Sequence, residues 1–142
     1  MPENLFPIGE TISLPILGAV RAGTGGVLEE EHLGTEVVSV SATRGYPAAD
    51  LFFLYVKGDS MYPRIAEGDH ALVHKQESVD SGSLAVVVID DEEAIIKKVY
   101  YGADWIELVS LNPNYPPRKF VGHEVTRVYV VGRVISVTSH WE

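Results

Sequence analysis

The stretch Ser83-Leu84-Ala85-Val86-Val87-Val88-Ile89-Asp90-Asp91-Glu92-Glu93-Ala94-Ile95-Ile96-Lys97-Lys98-Val99-Tyr100-Tyr101 decides the fold class. Leu84 to Ile89 is the longest clean apolar run in the chain. It has the length and content of a strand buried on both faces. The acidic cluster Asp90-Asp91-Glu92-Glu93 breaks that run as a turn, and Ala94 to Tyr101 follows as its hairpin partner. Strand alternation sets Ile95, Lys97, Val99 and Tyr101 on one face of the partner. Ala94, Ile96, Lys98 and Tyr100 fall on the other.

The same grammar extends outward. Val and Ile, stiff at χ1 and suited to a pleated surface, dominate the apolar residues, and Gly and Pro punctuate the chain. Further strands are expected at Val37–Val40, Phe52–Lys57, Ala71–His74 and Trp105–Leu111. Val125–Val137 reads as one long strand, or as two split by Gly132. Tyr62 to Ile65 suggests one helical turn. The expectation is a mostly β domain of twisted antiparallel sheets with few short helical turns. Residues 1–17, with Pro2, Pro7 and Pro15, read as an extended leader. The small-residue segment Gly18 to Gly26 reads as a mobile or strained loop. No pair of adjacent amphipathic helices is present, so a helix-turn-helix is not expected.

Composition narrows the function. The chain has 142 residues, a single-domain length, and no cysteine, which excludes disulfides, thiolate metal sites and a cysteine nucleophile. Its formal net charge of −9 makes it a poor nucleic-acid binder, because such binding depends on phosphate neutralisation. No apolar run is long enough to span a bilayer, and no secretion signal is evident, so a cytoplasmic protein without membrane contact is expected.

Three segments carry potential chemistry. In Val56-Lys57-Gly58-Asp59-Ser60-Met61, a serine follows an apolar strand on a turn opened by glycine. Such a turn can present a hydroxyl and backbone N–H groups to a carbonyl, as a nucleophile with an oxyanion hole does. It is not the hydrolase elbow, because Tyr62 stands where that motif has glycine. In Ile95 to Val99, a lysine desolvated among apolar residues would lose its proton more easily and could act as a base. Two solvated lysines guarding a strand edge are the plainer alternative. In Ala22-Gly23, two small residues would let backbone lie close against an active site. His70 and His74 share a strand face but lack a defined third ligand, so no metal site is expected. Gly23 to Gly26 lacks the lysine of a phosphate loop.

The order and company of these segments resemble the LexA-type self-cleaving domain, the S24 peptidase family that includes LexA, phage CI-type repressors and UmuD. The resemblance rests on Leu14 to Gly23, on Gly58-Asp59-Ser60-Met61 followed by Glu67-Gly68-Asp69, and on Ile89-Asp90-Asp91 leading to Ile96-Lys97-Lys98. The candidate base Lys97 lies 37 residues after the serine. The resemblance implies Ser60 as nucleophile and Lys97 as base, with Lys98 facing the other way. It further implies an oxyanion hole from the backbone N–H groups of Asp59 and Ser60, and a scissile bond between Ala22 and Gly23. It divides the chain into a leader or hinge over 1–13 and a peptidase and dimerisation domain over 14–142, with a cleavage segment at about 14–27. It implies a homodimer paired through C-terminal strands (Val128, Val130 and Val131 being available), no cofactor, and activation by a RecA filament on single-stranded DNA in the SOS response. DNA contact would then need an N-terminal helix-turn-helix domain. The wording around Gly18 to Gly26 favours a repressor fragment. A stand-alone UmuD-like protein and a dimerisation module with little protease activity are the alternatives.

Overall fold

The computed structural model describes residues 10–23 and 28–139. These form the strands β1 (Thr11–Ala22), β2 (Leu28–Ser39), β3 (Leu51–Tyr55), β4 (His70–Lys75), β5 (Ser83–Ile89), β6 (Ile95–Tyr101), β7 (Trp105–Val109), β8 (Arg118–Val121) and β9 (Val128–Thr138). Among the described residues all helix is 3-10, at Val40–Thr43, Ala48–Asp50 and Gly122–Arg127. The strands join into one sheet in the order β2-β1-β3-β4-β9-β5-β6-β7-β8. All pairs are antiparallel except β1 with β3, where Ile16 lies opposite Phe53.

Both faces of the central strands are buried. Phe52 and Leu54 share an apolar cluster with Val20, Val73 and Val86, whereas Leu51 and Phe53 share another with Leu14, Leu72 and Ile135. Along β5, Val86 and Val88 belong to the first cluster, and Ala85, Val87 and Ile89 to a third with Leu108 and Phe120. No α-helix among the described residues covers these faces, so the sheet must bend over itself to bury them. Its outer strand β2 is exposed along nearly its whole length and carries Glu29, Glu30 and Glu31, charges that discourage further strand addition.

The mostly β class and the Ser83–Tyr101 hairpin are as expected from the sequence: Ser83 lies opposite Val99 and Val87 opposite Ile95. Several local expectations are corrected. Thr11–Leu17 is not leader but the first part of β1, which also takes up Gly18–Ala22. Register shifts at Ile16/Leu17 and Leu17/Ala19 interrupt the two-residue periodicity, and burial on both faces hides the rest. Residues 1–9 and Thr24–Gly26 lie outside the described residues. Of the short strand expected at Val37–Val40, Val37–Ser39 are the end of the twelve-residue β2, whose charged, exposed preceding side chains give no apolar signal, and Val40 opens a 3-10 turn.

At the C-terminal end, β9 starts only at Val128, and Val125 belongs to a 3-10 turn. Gly132 does not split the strand. It lies opposite Lys75 at the end of the antiparallel β9–β4 ladder, and a Cβ there would stand 2.4 Å from the carbonyl oxygen of His74. The close approach of the two backbones therefore requires glycine. β9 lies between β4 and β5, Val131 is buried, and Val128 and Val130 pack against the third cluster. β4 pairs with β9 only over Gly132–Thr138, so among the described residues Val128–Val130 are paired with β5 on one edge alone.

Candidate active site

Ser60 sits on a loop between β3 and β4 that is closed at its base by two backbone bonds. Val56 N–H donates to the Asp69 carbonyl at 2.9 Å, and Gly68 N–H to the Val56 carbonyl at 2.9 Å. Gly58 takes φ +76°, the left-handed region open to glycine, and its N–H donates to Glu67 Oε1 at 3.0 Å. Buried Asp69 accepts from Ala66 N–H at 2.9 Å through Oδ2. Glu67-Gly68-Asp69 thus accompanies Gly58-Asp59-Ser60-Met61 for a physical reason: it ties down the far side of the same loop. Ile65 N–H donates to the Met61 carbonyl at 3.0 Å, but residues 62–65 form a hydrogen-bonded turn and not the helical turn expected there, and the Met61 side chain is buried in the core.

A second segment clamps the serine turn. Asn112, itself buried, donates from Nδ2 to the Asp59 carbonyl at 2.8 Å and from its backbone N–H to the Ser60 carbonyl at 2.9 Å. The Asp59 carbonyl and the Ser60 N–H belong to one planar peptide unit. Anchoring the oxygen therefore fixes where the N–H points, as an oxyanion donor requires. The Tyr115 hydroxyl donates to Asp59 Oδ1, adding a side-chain tie.

Lys97 lies on β6 and is half-buried. Its Nζ donates to Ser110 Oγ at 2.5 Å and stands 5.5 Å from the centre of the Tyr115 ring. Burial, with a smaller contribution from the charge of Arg118, holds its pKa below that of an ordinary lysine. Lys98, one residue on, faces away and lies over the Tyr100 ring. Among the described residues, the hydrogen bond of the Lys97 amine goes to Ser110 rather than to Ser60. The segment 110–112 bridges the two, touching Lys97 through Ser110 and the serine turn through Asn112.

The end of β1 reaches the same place. The Val20 carbonyl accepts from Ala94 N–H at 2.6 Å, just before β6, and Arg21 bridges to Glu93. Glu93 pairs with Arg21 at 2.9 Å and with Lys57 at 3.3 Å, linking the strand that ends in Ala22 to the serine turn and to the lysine strand. Ser60, Lys57, Gly18 and Glu93 line a common cleft. The backbone of Ala22 is the last residue of β1 and Gly23 follows it, half-buried.

The histidines are engaged elsewhere. His70 Nδ1 contacts Glu36 Oε1 at 2.7 Å, and His74 stacks on Tyr46 and bonds Gln76. Sequence reasoning missed Ser110, Asn112 and Glu93. A signal for Ser110 existed: it continues the alternation Ile106, Leu108 with a hydroxyl where packing alone would take another apolar side chain.

A family model described as Peptidase S24-like matches residues 15–135. Similar curated proteins include LexA repressor 2 of Geobacter sulfurreducens, 39% identical over 89% of this chain and 60% of that protein. The LexA repressor of Magnetococcus marinus is 32% identical over 97% of this chain and 57% of its own length. That of Citrifermentans bemidjiense is 37% identical over 94% and 64%. The chain therefore spans about three fifths of the length of these relatives. With a serine turn, a half-buried lysine and a family match over most of its residues, the chain belongs to the S24-like peptidase family.

Proposed function

We propose that the chain is the self-cleaving and dimerisation domain of a LexA-type transcriptional repressor, acting on its own Ala22–Gly23 bond. The observation that carries this reading is that Ser60 and the start of the Lys97 strand line one cleft with Gly18 of β1, while Glu93 ties Arg21 near the β1 end to Lys57 beside the serine turn and segment 110–112 ties Lys97 to that turn. In the proposed reaction, Ser60 Oγ attacks the Ala22 carbonyl carbon while neutral Lys97 takes its proton. The N–H groups of Asp59 and Ser60 receive the developing oxyanion. Lys97 then returns the proton to the departing Gly23 nitrogen. Water, deprotonated by the same amine, hydrolyses the resulting ester and frees Ser60.

Control follows from the mobility that a segment must have to serve as both strand and substrate. Docking of the β1 end is a two-state equilibrium, and a RecA filament on single-stranded DNA acts by favouring the docked state. In the cell the protein works as a cytoplasmic homodimer and contacts DNA through a separate helix-turn-helix domain. No described helix is long and apolar enough to cross a membrane.

Intact-mass spectrometry after incubation at neutral and alkaline pH tests this reading. A product beginning at Gly23 is expected, formed faster at alkaline pH, abolished by Ser60→Ala and nearly abolished by Lys97→Ala. Cleavage that persists in Ser60→Ala, or an intact wild-type chain even with activated RecA filament, would overturn it.

A further inference from the structure

We propose that Ser110 is the positioning residue of Lys97, orienting its amine toward the serine turn. This rests on the Ser60–Lys97 reading above and extends it to a residue outside that pair. Three observations carry it. First, the β6–β7 register pairs Lys98 with Val109 and Val99 with Leu108, so one further step sets Lys97 opposite Ser110. Second, Ser110 is buried at 9% exposure, at the position that continues the buried pair Ile106 and Leu108. A hydroxyl there has no packing advantage over an aliphatic side chain and gains its place from the 2.5 Å bond to Nζ. Third, among the described residues Ser110 is the hydrogen-bond partner of that amine, and Asn112 two residues on holds the Ser60 carbonyl.

The chemistry explains why a lysine base needs such a partner. A neutral amine has two N–H bonds and one lone pair on a freely rotating terminus. Donating one N–H to Ser110 Oγ removes most of that rotation and leaves the lone pair free to accept the Ser60 proton. Because Ser110 and Asn112 belong to one short segment, base and nucleophile are set against a common backbone reference. The charged and titratable groups around the amine are Arg118 from β8 and Tyr115 from the loop after β7, with Asp59 tied to Tyr115. Ser110 has no charge of its own, so it tunes the amine through one hydrogen bond. That bond is stronger to the ammonium form, and it raises the amine's pKa against the opposing effect of burial.

The test compares wild type, Ser110→Ala and Ser110→Thr in the 142-residue chain, with Ser60→Ala and Lys97→Ala as controls. Thermal melts confirm that each variant is folded. Autocleavage is followed from neutral to alkaline pH. Ser110→Ala is expected to lower the alkaline plateau rate about tenfold or more, the order of loss from a misplaced reacting group. Its pH midpoint is expected to move lower, and Ser110→Thr to restore both. A second measurement is independent of cleavage: the Lys97 pKa by carbon-13 NMR of the lysine Cε in a Ser60→Ala background, where Ser110→Ala should lower it by roughly one pH unit. A plateau within twofold of wild type overturns the inference. So does a lowered plateau with the midpoint unmoved or raised, or an unchanged Lys97 pKa. Cleavage surviving in Ser60→Ala or Lys97→Ala instead overturns the catalytic pair itself, so the two failures are distinguishable.

Discussion

Lys97 and Lys98 are identical side chains one position apart, and the pleat alone gives them different chemistry. Lys97 is turned to Ser110 and Tyr115, and burial depresses its pKa; Lys98 lies over Tyr100. A lysine acts as a base only when neutral, and a depressed pKa brings the neutral form to lower pH than in free lysine. Cleavage should therefore rise with pH through the Lys97 pKa, with a midpoint below that of an ordinary lysine. Lys98→Ala should keep this profile with a rate within about threefold of wild type, since it loses only the contact with Tyr100 on the face away from Ser110. Quantitative gel or mass analysis of both variants across alkaline pH decides it. An inactive Lys98→Ala beside a normal Lys97→Ala would show that the wrong face has been assigned to the base. The residue scale also shows the limit of sequence reading. The assignment of faces followed from alternation, but Ser110 became a partner only once β7 was known to pair with β6 in that register.

At the scale of elements, the site depends on strands that meet far apart in the chain. The Arg21–Glu93 and Lys57–Glu93 pairs are both substantially exposed, and exposed pairs contribute about 0–1 kcal/mol. In the proposed docking equilibrium such pairs would shift the populations by a few-fold without locking the segment in place. The acidic turn after β5 is likewise more than a solvated patch. Asp90 takes φ +54°, and its carboxylate is held below the usual range by hydrogen bonds from Arg127, the last residue of the 3-10 turn before β9. The most sensitive contact between strands is the close approach of β9 to β4 at Gly132. Gly132→Ala would drive a methyl into the His74 carbonyl, and overpacking of this kind costs about 1–3 kcal/mol. The expected outcome is a lower urea midpoint with an unchanged slope. A midpoint equal to wild type would mean that the two strands separate there at no cost.

At the scale of the whole molecule, the charge of −9 and the mostly β architecture point the same way on DNA. The described residues offer no α-helix to enter a major groove, and a net negative chain cannot release phosphate counterions efficiently. The isolated chain should leave duplex DNA unshifted in a gel at about 0.15 M salt, and a salt-dependent shift would contradict this. What the sequence determined by itself were the properties encoded within short windows: the β class and the Ser83–Tyr101 hairpin, for which local periodicity and turn chemistry suffice because each strand's pattern is set by its immediate neighbours. Ser60 and Lys97 stood out through the order and spacing of their segments, by resemblance to the S24 family. Only the tertiary structure decided that Thr11–Ala22 is a strand between β2 and β3, that β9 is central, and that Glu93, Ser110 and Asn112 join the site. Those facts depend on strand order and register across the sheet. They arise from the burial of both sheet faces and the pairing of distant backbones, and no window of sequence contains both partners.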